Sequence, residues 1–125
     1  MKQKFFICKH CGKIIAVVKD TDVPVICCGE KMQELIPGSV DAAEEKHVPV
    51  FTVSGNKVSV KVGSAEHPSL PEHHIEWISL ETEQGNQRKA VPVGAKPEAC
   101  FMMCEGDKVR AVYAYCNLHG LWKAE

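Results

Sequence analysis

Valines at positions 58, 60 and 62 alternate with polar residues in Lys57-Val58-Ser59-Val60-Lys61-Val62. A period of two puts one apolar face against a core and one polar face in water, which is the signature of a half-buried strand. Residues 48–53 are also β-rich, and Ser54-Gly55-Asn56 supplies a turn between the two. Further strands are expected over residues 75–82, 89–93, 99–103 and 109–115. Glu83-Gln84-Gly85-Asn86 and Glu105-Gly106-Asp107 mark turns, and the last two strands read as a closing hairpin. Residues 63–73 hold Pro68 and Pro71 and read as a loop. No segment shows a helical period, so residues 47–125 are expected to form a β-sandwich or small barrel.

The first part of the chain reads differently. Residues 13–26 are rich in β-branched side chains, with Asp20-Thr21-Asp22 as a turn. Pro37-Gly38-Ser39 then interrupts the pattern. The expected organisation is a small unit over 1–36, a linker over 37–46 and a larger unit over 47–125. About 36 residues are fewer than a hydrophobic core alone usually stabilises.

Composition narrows the function. With 15 basic and 16 acidic side chains, the chain lacks the net positive field that nucleic acid or an anionic membrane attracts. The apolar run Phe5-Phe6-Ile7 is too short for a secretory signal, so a cytoplasmic location is expected. Seven cysteines in a reducing compartment read as metal ligands rather than a disulfide framework.

Four of them form Cys8-x-x-Cys11-Gly12 and Cys27-Cys28-Gly29. Four thiolates suit one tetrahedral zinc or iron ion. The adjacent pair must splay to reach one ion. A rival reading joins Cys27 to Cys28 as a redox disulfide and closes a zinc site with Cys8, Cys11, Cys116 and His119. The other chemistry-bearing residues are His47, His67, His73 and the terminal Cys116-x-x-His119-Gly120. All are expected at strand ends or in loops, where side chains converge on a rigid sheet. If they share one ion it has four imidazoles and one thiolate, and an open position on such an ion suits iron rather than zinc. His10 is expected to face solvent, and His74 to point away from its neighbour His73. Cys100 and Cys104 share strand parity and read as core residues.

These residues carry a resemblance. Cys8-x-x-Cys11 with Cys27-Cys28 is similar to a desulforedoxin-like domain. Glu45-Lys46-His47-Val48-Pro49, His67-Pro68, His73 before Ile75-Glu76-Trp77-Ile78, and Tyr115-Cys116-Asn117-Leu118-His119-Gly120-Leu121-Trp122 match a neelaredoxin-like domain. Together they resemble desulfoferrodoxin, the two-domain type of superoxide reductase, over essentially the whole chain. The resemblance implies an all-β protein, with the small metal-stabilised domain followed by an immunoglobulin-like sandwich. It implies two irons, one on Cys8, Cys11, Cys27 and Cys28 and one on His47, His67, His73, His119 and an axial Cys116. It also implies that Lys46 attracts superoxide and that Glu45 occupies the open iron position in the oxidised state. The implied activity is one-electron reduction of superoxide to hydrogen peroxide without dioxygen release, with rubredoxin or a similar donor and a homodimeric assembly. An electron carrier without substrate chemistry is the alternative. Peptide N–H groups of Leu118 and His119 are expected to donate to the Cys116 sulfur, and Trp122 to shield the loop.

Overall fold

A computed structural model describes residues 2–40 and 42–125, so Met1 of the expected first unit and Asp41 of the expected linker lie outside the described residues. The chain forms two compact units, Lys2–Ile36 and Pro37–Glu125.

In the smaller unit, β1 (Phe5–Ile7) lies between β2 (Ile14–Ala16) and β5 (Gln33–Glu34), all antiparallel. A separate hairpin joins β3 (Ile26–Cys27) to β4 (Glu30–Lys31). Its two turn residues, Cys28 and Gly29, have φ of 52° and 78°. Two successive positive φ values make the tight turn whose twist matches a hairpin. Among the described residues of this unit only Phe5, Cys8 and Met32 are buried, so the apolar core is small. Much of the β-rich stretch at 13–26 stays outside strands, with Val18 and Val23 exposed.

The larger unit begins with a helix the sequence pattern does not announce, α1 (Glu44–His47). One turn is too short to show a hydrophobic period. His47 ends this helix and is not the first residue of a strand as expected. β6 (Pro49–Ser54) starts after it and pairs with β7 (Lys57–Val62) through the expected turn. β10 (Glu98–Met102) pairs with the other side of β7. The second sheet has the order β12-β11-β8-β9, from Gly120–Ala124, Val109–Cys116, Ile75–Thr82 and Asn86–Ala90.

Three expectations are corrected here. β10 and β11 are not a hairpin: they belong to different sheets, and the turn between them crosses the sandwich. The strand expected at 89–93 runs over Asn86–Ala90, because Asn86 already pairs with Glu81. Cys100 and Cys104 are exposed, since Phe101 and Met103 take the inward parity.

The two sheets close on one core of alternate residues, including Val58, Val60 and Val62 from β7, Ile78 and Leu80 from β8, Phe101 from β10, and Val112, Ala114 and Cys116 from β11. This is an antiparallel β-sandwich. Cys116 therefore hangs from the core face at the very end of β11. Among the described residues, no helix is long and apolar enough to cross a membrane.

Candidate metal centres

The ligand atoms of Cys8, Cys11, Cys27 and Cys28 all lie within 4.8 Å of one another. Two turns bring them there. In the first, Gly12 N–H donates to Cys8 O at 2.9 Å and Cys8 N–H to Lys13 O at 2.8 Å. Backbone N–H groups of Cys11 and His10 also point at the Cys8 sulfur and, against burial, bring its thiol down to about 6. In the second turn the left-handed backbone at Cys28 folds its sulfur back beside that of Cys27. That geometry costs a non-glycine residue roughly 1–2 kcal/mol, and it explains how adjacent cysteines serve one ion.

Cys11 Sγ lies 3.7 Å from Cys27 Sγ. Hydrogen bonds to Cys8 and Cys11 push the Cys27 thiol up to about 12. Four sulfurs this close cannot all ionise unless a cation sits among them, and a tetrathiolate ion fits the donor set. All seven cysteines are free, so Cys27 and Cys28 are not joined and the rival disulfide reading is displaced. His10 is half exposed and meets Glu30 at 3.1 Å across the two turns.

The second cluster comes from three places in the larger unit. His47 ends α1, His67 and His73 lie on the loop between β7 and β8, and Cys116 and His119 bracket the β11–β12 turn. The rings of His47, His67, His73 and His119 form a closed cycle. Neighbouring rings stand edge-on at 4.7, 4.7, 5.0 and 4.9 Å between centroids. His47 and His73 face each other across the cycle at 6.3 Å.

The hydrogen bonds fix which nitrogens face inward. His47 Nδ1 lies 2.7 Å from Ala43 O and His67 Nδ1 lies 2.8 Å from Pro68 O. A carbonyl only accepts, so both Nδ1 atoms carry the proton and both Nε2 atoms present lone pairs. Those lone pairs face one another at 3.2 Å. His73 Nε2 is buried with no hydrogen-bond partner among the described residues. His119 Nδ1 lies 3.1 Å from His47 Nε2 and 3.9 Å from Cys116 Sγ.

Adding protons to these rings is disfavoured. Burial holds the imidazoles of His47, His67 and His73 below their ordinary range, His67 down to about 4. Burial pushes the Cys116 thiol up, while the N–H groups of His119 and Leu118 pull it back. Neutral imidazoles and an N–H-supported sulfur around facing lone pairs fit a metal ion. The inward atoms of His47, His67, His73 and Cys116 lie within 4.8 Å of one another.

Glu45 and Lys46 are exposed on α1 and stand outside this cluster. His74 turns away: its Nδ1 bonds Leu70 O at 2.9 Å. Trp122 is buried, donates to His119 O at 3.0 Å and lies 5.2 Å from the His47 ring. The carbonyls of Ala43 and Pro68, which orient two rings, are invisible to sequence reasoning because any residue type supplies them.

A family model described as desulfoferrodoxin matches residues 39–125. The chain is 43% identical over 125 residues to a desulfoferrodoxin of Syntrophotalea carbinolica, covering 99% of this chain and 97% of that one. The chain belongs to the desulfoferrodoxin family. Its fold matches the superoxide reductase of Treponema pallidum with a TM-score of 0.84 at 37% identity, over 99% of this chain and 98% of that one. It also matches a superoxide reductase of Giardia intestinalis, described as 1Fe-SOR, with a TM-score of 0.55 at 36% identity. That match covers 64% of this chain and 95% of the Giardia chain.

Proposed function

We propose that the chain is a superoxide reductase, an oxidoreductase that takes superoxide, one electron and two protons to hydrogen peroxide and releases no dioxygen. The observation that carries the reading is the closed ring of four imidazoles, in which His47 and His67 turn lone pairs inward, beside one buried sulfur. Four nitrogens and one thiolate would suit an iron that cycles between two oxidation states, and the thiolate would lend it electron density. His47, His67, His73, His119 and Cys116 would hold this iron, and Cys8, Cys11, Cys27 and Cys28 the other. Iron there supplies the one-electron chemistry.

The remaining steps belong to the chain. α1 carries Glu45 and Lys46 immediately before the ligand His47. The Lys46 ammonium attracts the superoxide anion to this end of the sandwich. Glu45 is the carboxylate that would bind the iron when it is oxidised. The N–H groups of Leu118 and His119 offset part of the burial that disfavours an ionised Cys116 sulfur, and keep that sulfur oriented. Residues 1–36 are read as the desulforedoxin-like domain, 37–46 as the linker that includes most of α1, and 47–125 as the catalytic sandwich. Rubredoxin or a similar small donor, a homodimeric assembly and a cytoplasmic location complete the reading.

The test is product stoichiometry with a reduced donor. One hydrogen peroxide per superoxide, no dioxygen and two irons per chain are expected. Half an equivalent of peroxide with dioxygen evolution would mean dismutation and refute the proposal. A His-ligated iron with all six positions filled in both oxidation states would favour the electron-carrier reading.

A further inference from the structure

The pairing between β8 and β11 shifts register between Val109 and Ala111, runs in register from Ala111 to Tyr115, and shifts again at its last step. Tyr115 pairs with Trp77, but Cys116 pairs with Ile75, so Glu76 is an extra residue. Such a bulge re-aims the chain beyond it. Here it turns Ile75 and Cys116 together into the core. It also brings Asn117 opposite His74.

At this point the backbone ladder ends and a side chain continues it. Asn117 N–H donates to His74 O at 3.2 Å. Asn117 Oδ1 accepts from His74 N–H at 2.9 Å. Asn117 Nδ2 donates to Glu72 O at 3.1 Å. A carboxamide offers one acceptor and one donor side by side, as a peptide group does. Asn117 therefore grips both residues that flank His73, from a position next to Cys116.

His73 has particular need of that grip. The His47 and His67 rings are each fixed by a carbonyl at Nδ1. His73's backbone bonds, with Leu70 at 2.9 and 3.0 Å, stay within its own loop. We infer that Asn117 is a positioning residue that sets the His73 imidazole against the Cys116 sulfur by clamping the backbone on both sides of His73. The inference rests on reading His73 and Cys116 as ligands of one metal ion.

The experiment measures Co(II) affinity of the His/Cys centre in the full-length protein by chelator competition. It is done for Asn117→Ala, Asn117→Asp, His73→Ala and the two double variants. Asn117→Ala is expected to weaken binding about 10–100-fold, the usual effect of a partner behind a ligand. Asn117→Asp keeps the acceptor for His74 N–H and loses the donor to Glu72 O, so it falls between, and it serves if the alanine variant does not fold. In the His73→Ala background either change at Asn117 is expected to cost nothing further. The four-cysteine centre is expected to keep its absorption throughout. Equal losses with and without His73, or no loss when His73 is intact, would overturn the inference. An affinity indifferent to His73→Ala would overturn the ligand reading beneath it. Normal coupling in a protein that does not reduce superoxide would overturn only the proposed function.

Discussion

Gly63 links the end of β7 to α1. Its N–H donates to Val48 O at 3.0 Å, and Ala65 N–H donates to Glu45 O at 2.9 Å. Its φ is +82°, and an added Cβ would press on Ala65 O and lie 2.7 Å from Glu45 O and 2.8 Å from Lys46 C. All three are backbone atoms, so no rotamer change relieves the overlap. Left-handed φ costs alanine about 1–2 kcal/mol. Losing the two hydrogen bonds as the backbone parts adds about 1 kcal/mol each. Gly63→Ala is therefore expected to destabilise the larger unit by about 3–4 kcal/mol, lowering its Tm by roughly 10–30 °C. Gly55→Ala is the control, since Gly55 has φ +61° and an added Cβ there meets nothing within 4 Å. It carries the conformational strain alone, about 1–2 kcal/mol. The assay is calorimetry on the full-length protein, with the absorption of the four-cysteine centre as an internal reference. Because α1 carries Glu45, Lys46 and His47, Gly63→Ala is also expected to slow superoxide consumption at temperatures where both variants are folded. Equal Tm losses for the two variants would refute the argument that close approach to α1 is what requires glycine at 63.

Three further outcomes are expected. Cys116→Ser removes the sulfur of the His cluster, so superoxide reduction is lost while the absorption of the four-cysteine iron persists; retained turnover would remove Cys116 from the centre. Lys46→Ala slows superoxide capture roughly fivefold at low salt, the effect of about 1 kcal/mol from one exposed charge, and the difference shrinks at high salt; pulse-generated superoxide showing no change at either salt would remove Lys46 from that role. In metal-free protein the His67 ring, held at about 4 in the fold against an ordinary 6.5, takes up its proton first in the unfolded chain. Stability of the larger unit is then full above pH 6.5 and lost as pH falls toward 4, with His47 and His73 acting in the same direction. A urea midpoint that stays flat across that interval would contradict burial as the cause.

Both metal centres are partly legible in the chain as written. Thiols at Cys8 and Cys11, or a thiol and imidazole at Cys116 and His119, are close in sequence and share a turn, so their convergence needs no tertiary information. Adjacent Cys27 and Cys28 are an awkward pair on paper, because sequence does not show that Cys28 takes a left-handed backbone at 52° in a hairpin turn. The strand β7 follows from its alternation, and β8 and β11 from apolar runs set off by turn residues. Placing Cys100 and Cys104 inside was wrong because parity defines two faces without saying which one meets the core.

What the sequence determined by itself was the inventory: ligand types, local knuckles, strand periodicity and the break at Pro37. Each depends on covalent neighbours and on side-chain chemistry that does not change with context. What only the tertiary structure decided was adjacency across long separations. It decided that β10 and β11 lie in different sheets, that a single helical turn delivers His47, and that a bulge at Glu76 brings Asn117 to the two residues beside His73. A period of two tells a strand which way its side chains point but not which strand lies beside it. That choice belongs to the burial of a shared core, and the geometry of the four-histidine ring follows from it.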